Sequence, residues 1–196
     1  MEPQQTRQGV FFSLSAYFIW GIAPAYFKLI GYVPANEILT HRIIWSFFFM
    51  LILLTLSRQW PLVRIACRNK KHILLLAVSA ILIGSNWLTF IWAVNNHHML
   101  EASMGYFINP LVNVLLGVVF LKERFRRMQW AAVILAFSGV AIQIWQFGSI
   151  PYISLTLALT FGLYALVRKK IGVDSQSGML IETLWLLPVA AIYLFF

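Results

Sequence analysis

ILLLAVSAILIGSNWLTFIWAV, residues 73–94, is the stretch that decides the fold, because it runs for 22 residues without a charged side chain. At 1.5 Å per residue, an α-helix of this length extends for about 33 Å, and the hydrocarbon core of a bilayer is about 30 Å thick. Its apolar residues lack the alternation that is typical of a membrane-barrel strand. The stretch therefore predicts a membrane-spanning helix.

Six further apolar runs of similar length surround this stretch. They cover residues 9–29, 36–56, 102–121, 129–145, 151–167 and 179–196. The composition agrees with them, because 61% of the residues are hydrophobic, only 11% are charged and the mean hydropathy is +0.80. A soluble domain has about 25% charged residues. We therefore predict an all-α integral membrane protein with about seven transmembrane helices.

Among the gaps between the runs, basic residues occur only in alternate ones. They cluster in residues 58–71, 122–127 and 168–170, whereas the gaps after the first, third and fifth runs contain neither Lys nor Arg. Because cytoplasmic loops concentrate Lys and Arg, this alternation predicts a cytoplasmic N-terminus. It also accounts for the net charge of +9 without nucleic acid as a partner.

An internal repeat relates the first and sixth runs. A shift of 141 positions aligns them without a gap and pairs Ser13 with Ser154, Gly21 with Gly162 and Lys28 with Lys169. A repeat of five helices is odd, so its second copy enters the membrane from the opposite side, as in many secondary transporters. We expect residues 9–147 to form one repeat and residues 150–196 to form the first two helices of an inverted, incomplete second repeat. The chain is accordingly expected to be truncated.

Several motifs are familiar. NWLTFIWAVN (86–95), EASMGYFINPL (101–111) and LKERFRRMQW (121–130), together with YFIWG (17–21), EILTHRIIWS (37–46) and IETLWLLP (181–188), resemble the EamA branch of the drug/metabolite transporter superfamily, in particular its RarD-type permeases. The resemblance runs from about residue 9 to the end.

The resemblance implies a bacterial inner-membrane permease with ten helices in two inverted repeats and both termini in the cytoplasm. It implies transport of small metabolites or drug-like compounds, and a link to chloramphenicol sensitivity or resistance, although the substrate of the family is poorly defined. This sequence departs from the family by ending after its seventh run, which puts independent transport in doubt.

Three ionisable residues inside the runs are candidates for substrate binding. A charge within a span is unfavourable unless it pairs, faces water or snorkels to the interface. Arg42 is interpreted as a cation for an anionic or polar substrate group, or else as a snorkelling residue that pairs with Glu37. Glu182 is interpreted as a proton-coupling or substrate-binding carboxylate, or as an interfacial partner of Arg168 or Lys170. His41 either titrates near neutral pH or is structural.

Amides and aromatic rings complete the candidate site. Amides in hydrocarbon either bond between helices or line a wet cavity, and aromatic rings either stack on a substrate or lie at the membrane interface. The candidates are Asn86, Asn109, Asn113, Trp20, Trp45, Trp87 and Tyr106. Pro110 lies between two of the amides and is expected to bend its helix.

Catalytic patterns are missing from the sequence, which has no GxSxG elbow, no GxxxxGK[ST] loop and no metal-ligand spacing. We therefore predict no enzyme, no catalytic residue, no metal and no cofactor. The expected partners are the lipid bilayer and a small-molecule substrate, with a homodimer as a further option. The alternatives to a permease are a non-transporting membrane scaffold or inactive fragment and, less favoured, a membrane-embedded enzyme.

Overall fold

The structure, a computed structural model, describes residues 3–195, with side chains from residue 7 onward. Within this range the chain forms eight α-helices joined by short connections. They are α1 (Pro3–Leu29), α2 (Ala35–Leu56), α3 (Trp60–Arg68), α4 (Lys70–Asn95), α5 (Met99–Leu121), α6 (Arg127–Phe147), α7 (Tyr152–Ile171) and α8 (Ser175–Phe195).

The predicted all-α membrane fold is confirmed. Helices α1, α2, α4, α5, α6 and α8 are long and apolar enough to cross a membrane. Helix α7 corresponds to the sixth predicted run, and the three basic residues in its last turn lower its mean hydropathy. Most helices extend beyond the predicted runs into polar sequence, and the predicted end at residue 196 lies outside the described residues.

Helix α3 is the one element among the described residues that the apolar runs did not predict. Its nine residues are amphipathic, and Val63 and Ala66 are buried while Arg64 and Arg68 are exposed. Val63 packs in a cluster with residues of α2 and α8, and Ala66 packs in a cluster with residues of α4, α7 and α8. This helix is too short to cross the bilayer. Its apolar face holds it against α2, α4, α7 and α8.

Helix α4 is central and packs against α1, α2, α3, α5, α7 and α8. The most extensive contacts join α5 to α7, α4 to α7 and α2 to α8.

Two glycines permit the close approach of α5 and α7. A Cβ at Gly105 would lie 3.1 Å from the Ser154 carbonyl oxygen, and one at Gly162 would lie 2.7 Å from Val112 Cγ1. Small residues at helix interfaces are typical of membrane helix packing.

The three basic segments converge at one end of the helix bundle. Ala66 of α3 packs with Ile171 at the end of α7. Lys169 Nζ donates to Glu123 Oε1 at 2.6 Å and so ties the end of α7 to the segment after α5. We call this end of the bundle, defined by residues 58–71, 122–127 and 168–170, the basic side.

Helices α1 and α6 lie at the edge of the bundle. Within the described residues, α6 packs against α5 and α1 packs against α4, and most large apolar side chains of both helices are exposed. Apolar side chains that face outward are expected in a bilayer, where lipid tails are as apolar as leucine. Helix α1 nevertheless matters for the site, because one of its faces borders a cavity of about 790 Å³.

Candidate functional site

A cavity of about 790 Å³, which we call the first cavity, lies among α1, α4, α5 and α7. Its lining is mostly apolar and aromatic, with a few amides and hydroxyls. The lining residues are Ser13, Ala16, Tyr17, Trp20, Gly21, Pro24, Asn86, Phe90, Val94, Met99, Ala102, Ser103, Gly105, Tyr106, Asn109, Pro110, Leu157 and Phe161. None of these described lining residues is charged. Its volume lies in the range of small-molecule sites.

Aromatic rings form one wall of the first cavity. The Trp20 ring lies edge-to-face with Tyr106 at 6.2 Å and with Phe161 at 6.1 Å between centroids. Phe90 contacts Tyr106 in the same geometry at 6.0 Å. Four rings from α1, α4, α5 and α7 thus meet in one cluster, and Trp20 and Tyr106 remain about half exposed to the cavity side. Such rings can hold an aromatic or apolar group.

Two of the predicted amides both line the first cavity and bond to α7. Asn86 Nδ2 donates to the Leu157 carbonyl and to Thr160 Oγ1, both at 2.9 Å. Asn109 Nδ2 donates to the Ala158 carbonyl at 3.2 Å. The structural and the functional interpretations of these amides are therefore compatible, because the same side chains fix α7 and present polar atoms to the cavity.

A second cavity of about 700 Å³ lies between α1 and α2. It contains three of the predicted site residues, His41, Arg42 and Trp45, together with Glu37. The Arg42 guanidinium carbon lies 4.1 Å from the centroid of the buried Trp87 ring, a cation–π contact. Arg42 and Glu37 form no ion pair among the described residues. The arginine is therefore held by an aromatic face.

Glu182 lines neither of these cavities. Its side chain is 1% exposed and lies in a polar cluster built by α4, α7 and α8. Ser79 Oγ donates to Glu182 Oε1, Tyr164 OH donates to Oε2 at 3.5 Å, and Arg168 Nε lies 3.6 Å from Oε1. The structure thus places the carboxylate beside Arg168, as one of the two interpretations expected, but in the interior of the helix bundle.

The predicted site residues fall into three groups. Trp20, Asn86, Tyr106 and Asn109 line the first cavity, and the exposed Asn113 donates to Asn109 Oδ1 at 2.9 Å. The second cavity is lined by His41, Arg42 and Trp45, and the Trp87 ring contacts Arg42. Glu182 stands apart from both groups. Within the described residues, no three His, Cys, Asp or Glu side chains are placed to hold a metal.

Most residues of the first cavity are absent from the predicted set. On α1, Trp20 was predicted, whereas the other residues that line the cavity were not; they are Ser13, Ala16, Tyr17, Gly21 and Pro24. Together with Trp20 they have the three- and four-residue spacing of one helix face, so helical periodicity in a span that is otherwise apolar could have identified them. Phe90, Phe161 and Leu157 gave no such signal, because apolar residues also face lipid.

Comparison with known proteins identifies relatives of this chain. Residues 7–145 match the model of the EamA-like transporter family. Over 195 residues the chain is 71% identical to Protein RarD of Salmonella typhi and 69% identical to Protein RarD of Escherichia coli (strain K12). These matches cover 100% of this chain and 66% of each relative.

A more distant relative carries a more specific name. The chain is 37% identical over 187 residues to a protein of Pseudomonas aeruginosa named Chloramphenicol-sensitive protein RarD, with 93% of this chain and 62% of that relative covered. No solved structure matches the chain. The chain thus spans about two thirds of the length of the curated relatives named here.

Proposed function

Since the chain belongs to the EamA-like transporter family, we propose that it carries the substrate site of a multi-pass permease of the bacterial inner membrane, and that this site is the first cavity. We include transport by this chain in the proposal, because the chain spans 66% of the length of the relatives from Salmonella typhi and Escherichia coli. The described cavity supplies what a permease requires, a space of about 790 Å³ bordered by four helices.

One observation carries the proposal. The 141-position shift pairs Trp20 with Phe161, and these two rings contact each other at 6.1 Å in the wall of the first cavity. A residue that touches its own repeat equivalent lies close to the axis that relates the repeats. In transporters with inverted repeats, the substrate binds at the interface of the repeats near the midplane. Contact between the repeat-equivalent helices α2 and α8 supports the same axis.

The lining favours a neutral compound with an aromatic or apolar part and hydrogen-bonding groups. The four clustered rings would contact the ring of such a compound, and Asn86 and Asn109 would meet its polar groups. A charged substrate would lack an opposite charge among the described lining residues. A small metabolite or drug-like molecule fits this description. Chloramphenicol, which the name of one relative mentions, is a neutral aromatic compound and serves as the probe.

Removal of the Trp20 ring is expected to weaken binding of chloramphenicol to the chain in lipid nanodiscs. Trp20→Ala removes the ring that contacts both Tyr106 and Phe161. Loss of such a contact predicts roughly tenfold weaker binding, or about 1.4 kcal/mol. Equilibrium dialysis with labelled chloramphenicol measures the change.

Trp145→Ala is the matched control for this variant. Trp145 is 86% exposed on α6 and lies outside the first cavity. We expect this variant to bind as the unmodified chain does. Equal loss of binding in both variants, or unchanged binding in Trp20→Ala, would contradict the assignment of the first cavity as the substrate site.

The proposal includes a cytoplasmic location for the basic side and for the N-terminus. Cys67 is the sole cysteine of the sequence and is exposed on α3 at the basic side. A membrane-impermeant maleimide is therefore expected to label Cys67 in inside-out vesicles and to leave it unlabelled in intact spheroplasts. Labelling is read by mass spectrometry.

A second cysteine position tests the opposite face. Ser149 is exposed in the uncharged connection between α6 and α7. In the variant Cys67→Ser/Ser149→Cys, the maleimide should label position 149 in intact spheroplasts and leave it unlabelled in inside-out vesicles. Labelling of both positions from the same side would refute the proposed topology.

A further inference from the structure

The polar cluster around Glu182 lies inside the membrane-spanning bundle and outside both cavities. Glu182 is on α8, seven residues after the helix begins, so it lies about 10 Å from the basic side by helical rise. Ser79 is a buried residue of α4, and Tyr164 is a half-buried residue of α7. Three spans thus contribute polar groups to one carboxylate.

Arg168 is a loose partner of this carboxylate. Its Nε lies 3.6 Å from Glu182 Oε1, whereas a charge-assisted N–H···O bond is about 2.7–2.9 Å long. Its Nη2 donates to the Asp174 carbonyl at 3.2 Å, and its buried Nη1 has no hydrogen-bond partner among the described residues. The guanidinium therefore compensates the buried charge without being locked to it.

Among the described residues, Glu182 forms an ion pair with Arg168 and with no other basic side chain. At the depth of the neighbouring Leu180, α2 and α3 contribute the apolar residues Met50, Leu54 and Val63. The ionisable residues of α2 lie in its first turns, at the end of the helix away from Met50 and Leu54. Those of α3 are exposed, and those of α4 lie in its first turn. They are Glu37, His41, Arg42, Arg64, Cys67, Arg68, Lys70, Lys71 and His72. Lys169 and Lys170 of α7 are exposed, and Asp174 lies beside Arg168, which donates to its carbonyl oxygen. The charge state of Glu182 thus depends on Arg168, with Tyr164 as the neighbouring titratable group.

We propose that Glu182 is a proton-binding site that alternates between two partners, Arg168 and a proton. In the arrangement seen here, the carboxylate pairs with Arg168. When the guanidinium moves out into the water at the basic side, the carboxylate is left without a counter-charge and takes a proton from a hydronium ion at that side. The neutral acid then keeps hydrogen bonds with Ser79 and Tyr164. Return of Arg168 releases the proton to water on the side to which the substrate site is then open.

This exchange would couple one proton to one cycle of the permease, and the coupling rests on the proposed function. In the uptake step the carboxyl O–H bond forms as one O–H bond of the hydronium ion breaks, and the release step reverses this exchange. A buried carboxylate without a partner is strongly unfavourable in hydrocarbon, which is the physical reason that a proton replaces the guanidinium.

Infrared spectroscopy of the chain in lipid nanodiscs tests the site without transport. In Arg168→Gln at pH 7, we expect a protonated carboxyl band that corresponds to about one group per chain. The double variant Arg168→Gln/Glu182→Gln should lack this band, and the unmodified chain should lack it at the same pH. Glu123→Gln, which alters the exposed pair with Lys169, should match the unmodified chain.

Two results would overturn the proton site. In the first, Arg168→Gln shows, between pH 5 and 8, no protonated carboxyl band that is missing from Arg168→Gln/Glu182→Gln. In the second, the band disappears when Na⁺ replaces K⁺, which would indicate a metal cation at the carboxylate. If Arg168→Gln does not fold, the carboxyl band is followed in the unmodified chain and in Glu182→Gln as the pH is lowered. A band that appears only in the unmodified chain then shows that Glu182 binds a proton, and its absence overturns the site.

A second measurement separates the coupling from the proposed function. In proteoliposomes, accumulation of chloramphenicol driven by a pH gradient should fall at least tenfold in Glu182→Gln and follow the unmodified chain in Glu123→Gln. Equal accumulation in both variants would overturn the coupling. If the unmodified chain neither binds nor moves the probe, the proposed function fails, and the infrared result still decides whether Glu182 binds a proton.

Discussion

In Gly162→Leu, α7 is expected to lose its close packing on α5, and the chain should unfold at a clearly lower denaturant concentration. A Cβ at this position would already lie 2.7 Å from Val112 Cγ1 and 3.3 Å from Leu116 Cδ1. A leucine adds three more carbon atoms to this overlap. Overpacking of this kind is destabilising by roughly 1–3 kcal/mol or more. Unfolding of the purified chain in mixed micelles, followed by circular dichroism, gives the difference.

Gly21→Leu is the control that the repeat itself offers. Gly21 is the 141-shift equivalent of Gly162, but a Cβ there would meet no heavy atom within 4 Å. We expect this variant to retain the stability of the unmodified chain while narrowing the first cavity, which Gly21 lines. Equal stability of Gly162→Leu and the unmodified chain would contradict the described α5–α7 interface.

In Glu182→Leu, the Arg168 guanidinium is expected to lose its counter-charge, so that it either stays unpaired in the bundle or moves to the basic side and leaves its contacts in the bundle unmade. Arginine does not lose its proton in proteins, so it cannot escape the penalty by becoming neutral. Removing one member of a buried ion pair destabilises proteins by roughly 3–5 kcal/mol. The same unfolding measurement should therefore show a loss larger than that of Gly162→Leu.

The double variant Arg168→Met/Glu182→Leu should recover most of this loss. An apolar pair of similar volume leaves no unpaired charge, and such replacements are often neutral or stabilising. Glu123→Leu serves as the comparison, because its partner Lys169 is exposed and surface pairs contribute about 0–1 kcal/mol. A Glu182→Leu variant no less stable than Glu123→Leu would show that the buried pair has little structural role.

Hydropathy predicted most of the fold because the bilayer imposes a simple rule. A span needs about 20 apolar residues, and the run 36–56 corresponds closely to α2 (Ala35–Leu56). The run 73–94 corresponds to the longer α4 (Lys70–Asn95), since the backbone hydrogen bonds continue into water beyond the hydrocarbon. Helix ends are accordingly less predictable than helix positions.

Helix α3 shows where that rule stops. Its nine residues include Arg64 and Arg68, so they read as part of a basic gap. The helix depends on contacts made by Val63 and Ala66 with spans that are distant in sequence. Such contacts leave only a weak local signal, a short amphipathic pattern beside Pro61.

The candidate site was only partly predictable, because lipid and the bundle interior both favour apolar side chains. Trp20 and Trp145 have the same side chain within apolar runs, yet the first lines a cavity and the second is 86% exposed. Polar residues gave the better signal. Asn86, Asn109 and Glu182 were singled out as unusual in hydrocarbon, and each makes contacts between helices.

The packing order of the helices differs from their order in the chain, and this has a consequence for biogenesis. Helices α7 and α8 are made after α1 to α6, but they supply the most extensive contacts of α5, α4 and α2. A nascent chain that has inserted only α1 to α6 therefore holds these earlier helices without their main partners. The inserted helices must remain in the membrane with lateral room for α7 and α8, so their packing is completed only after α7 and α8 have been inserted.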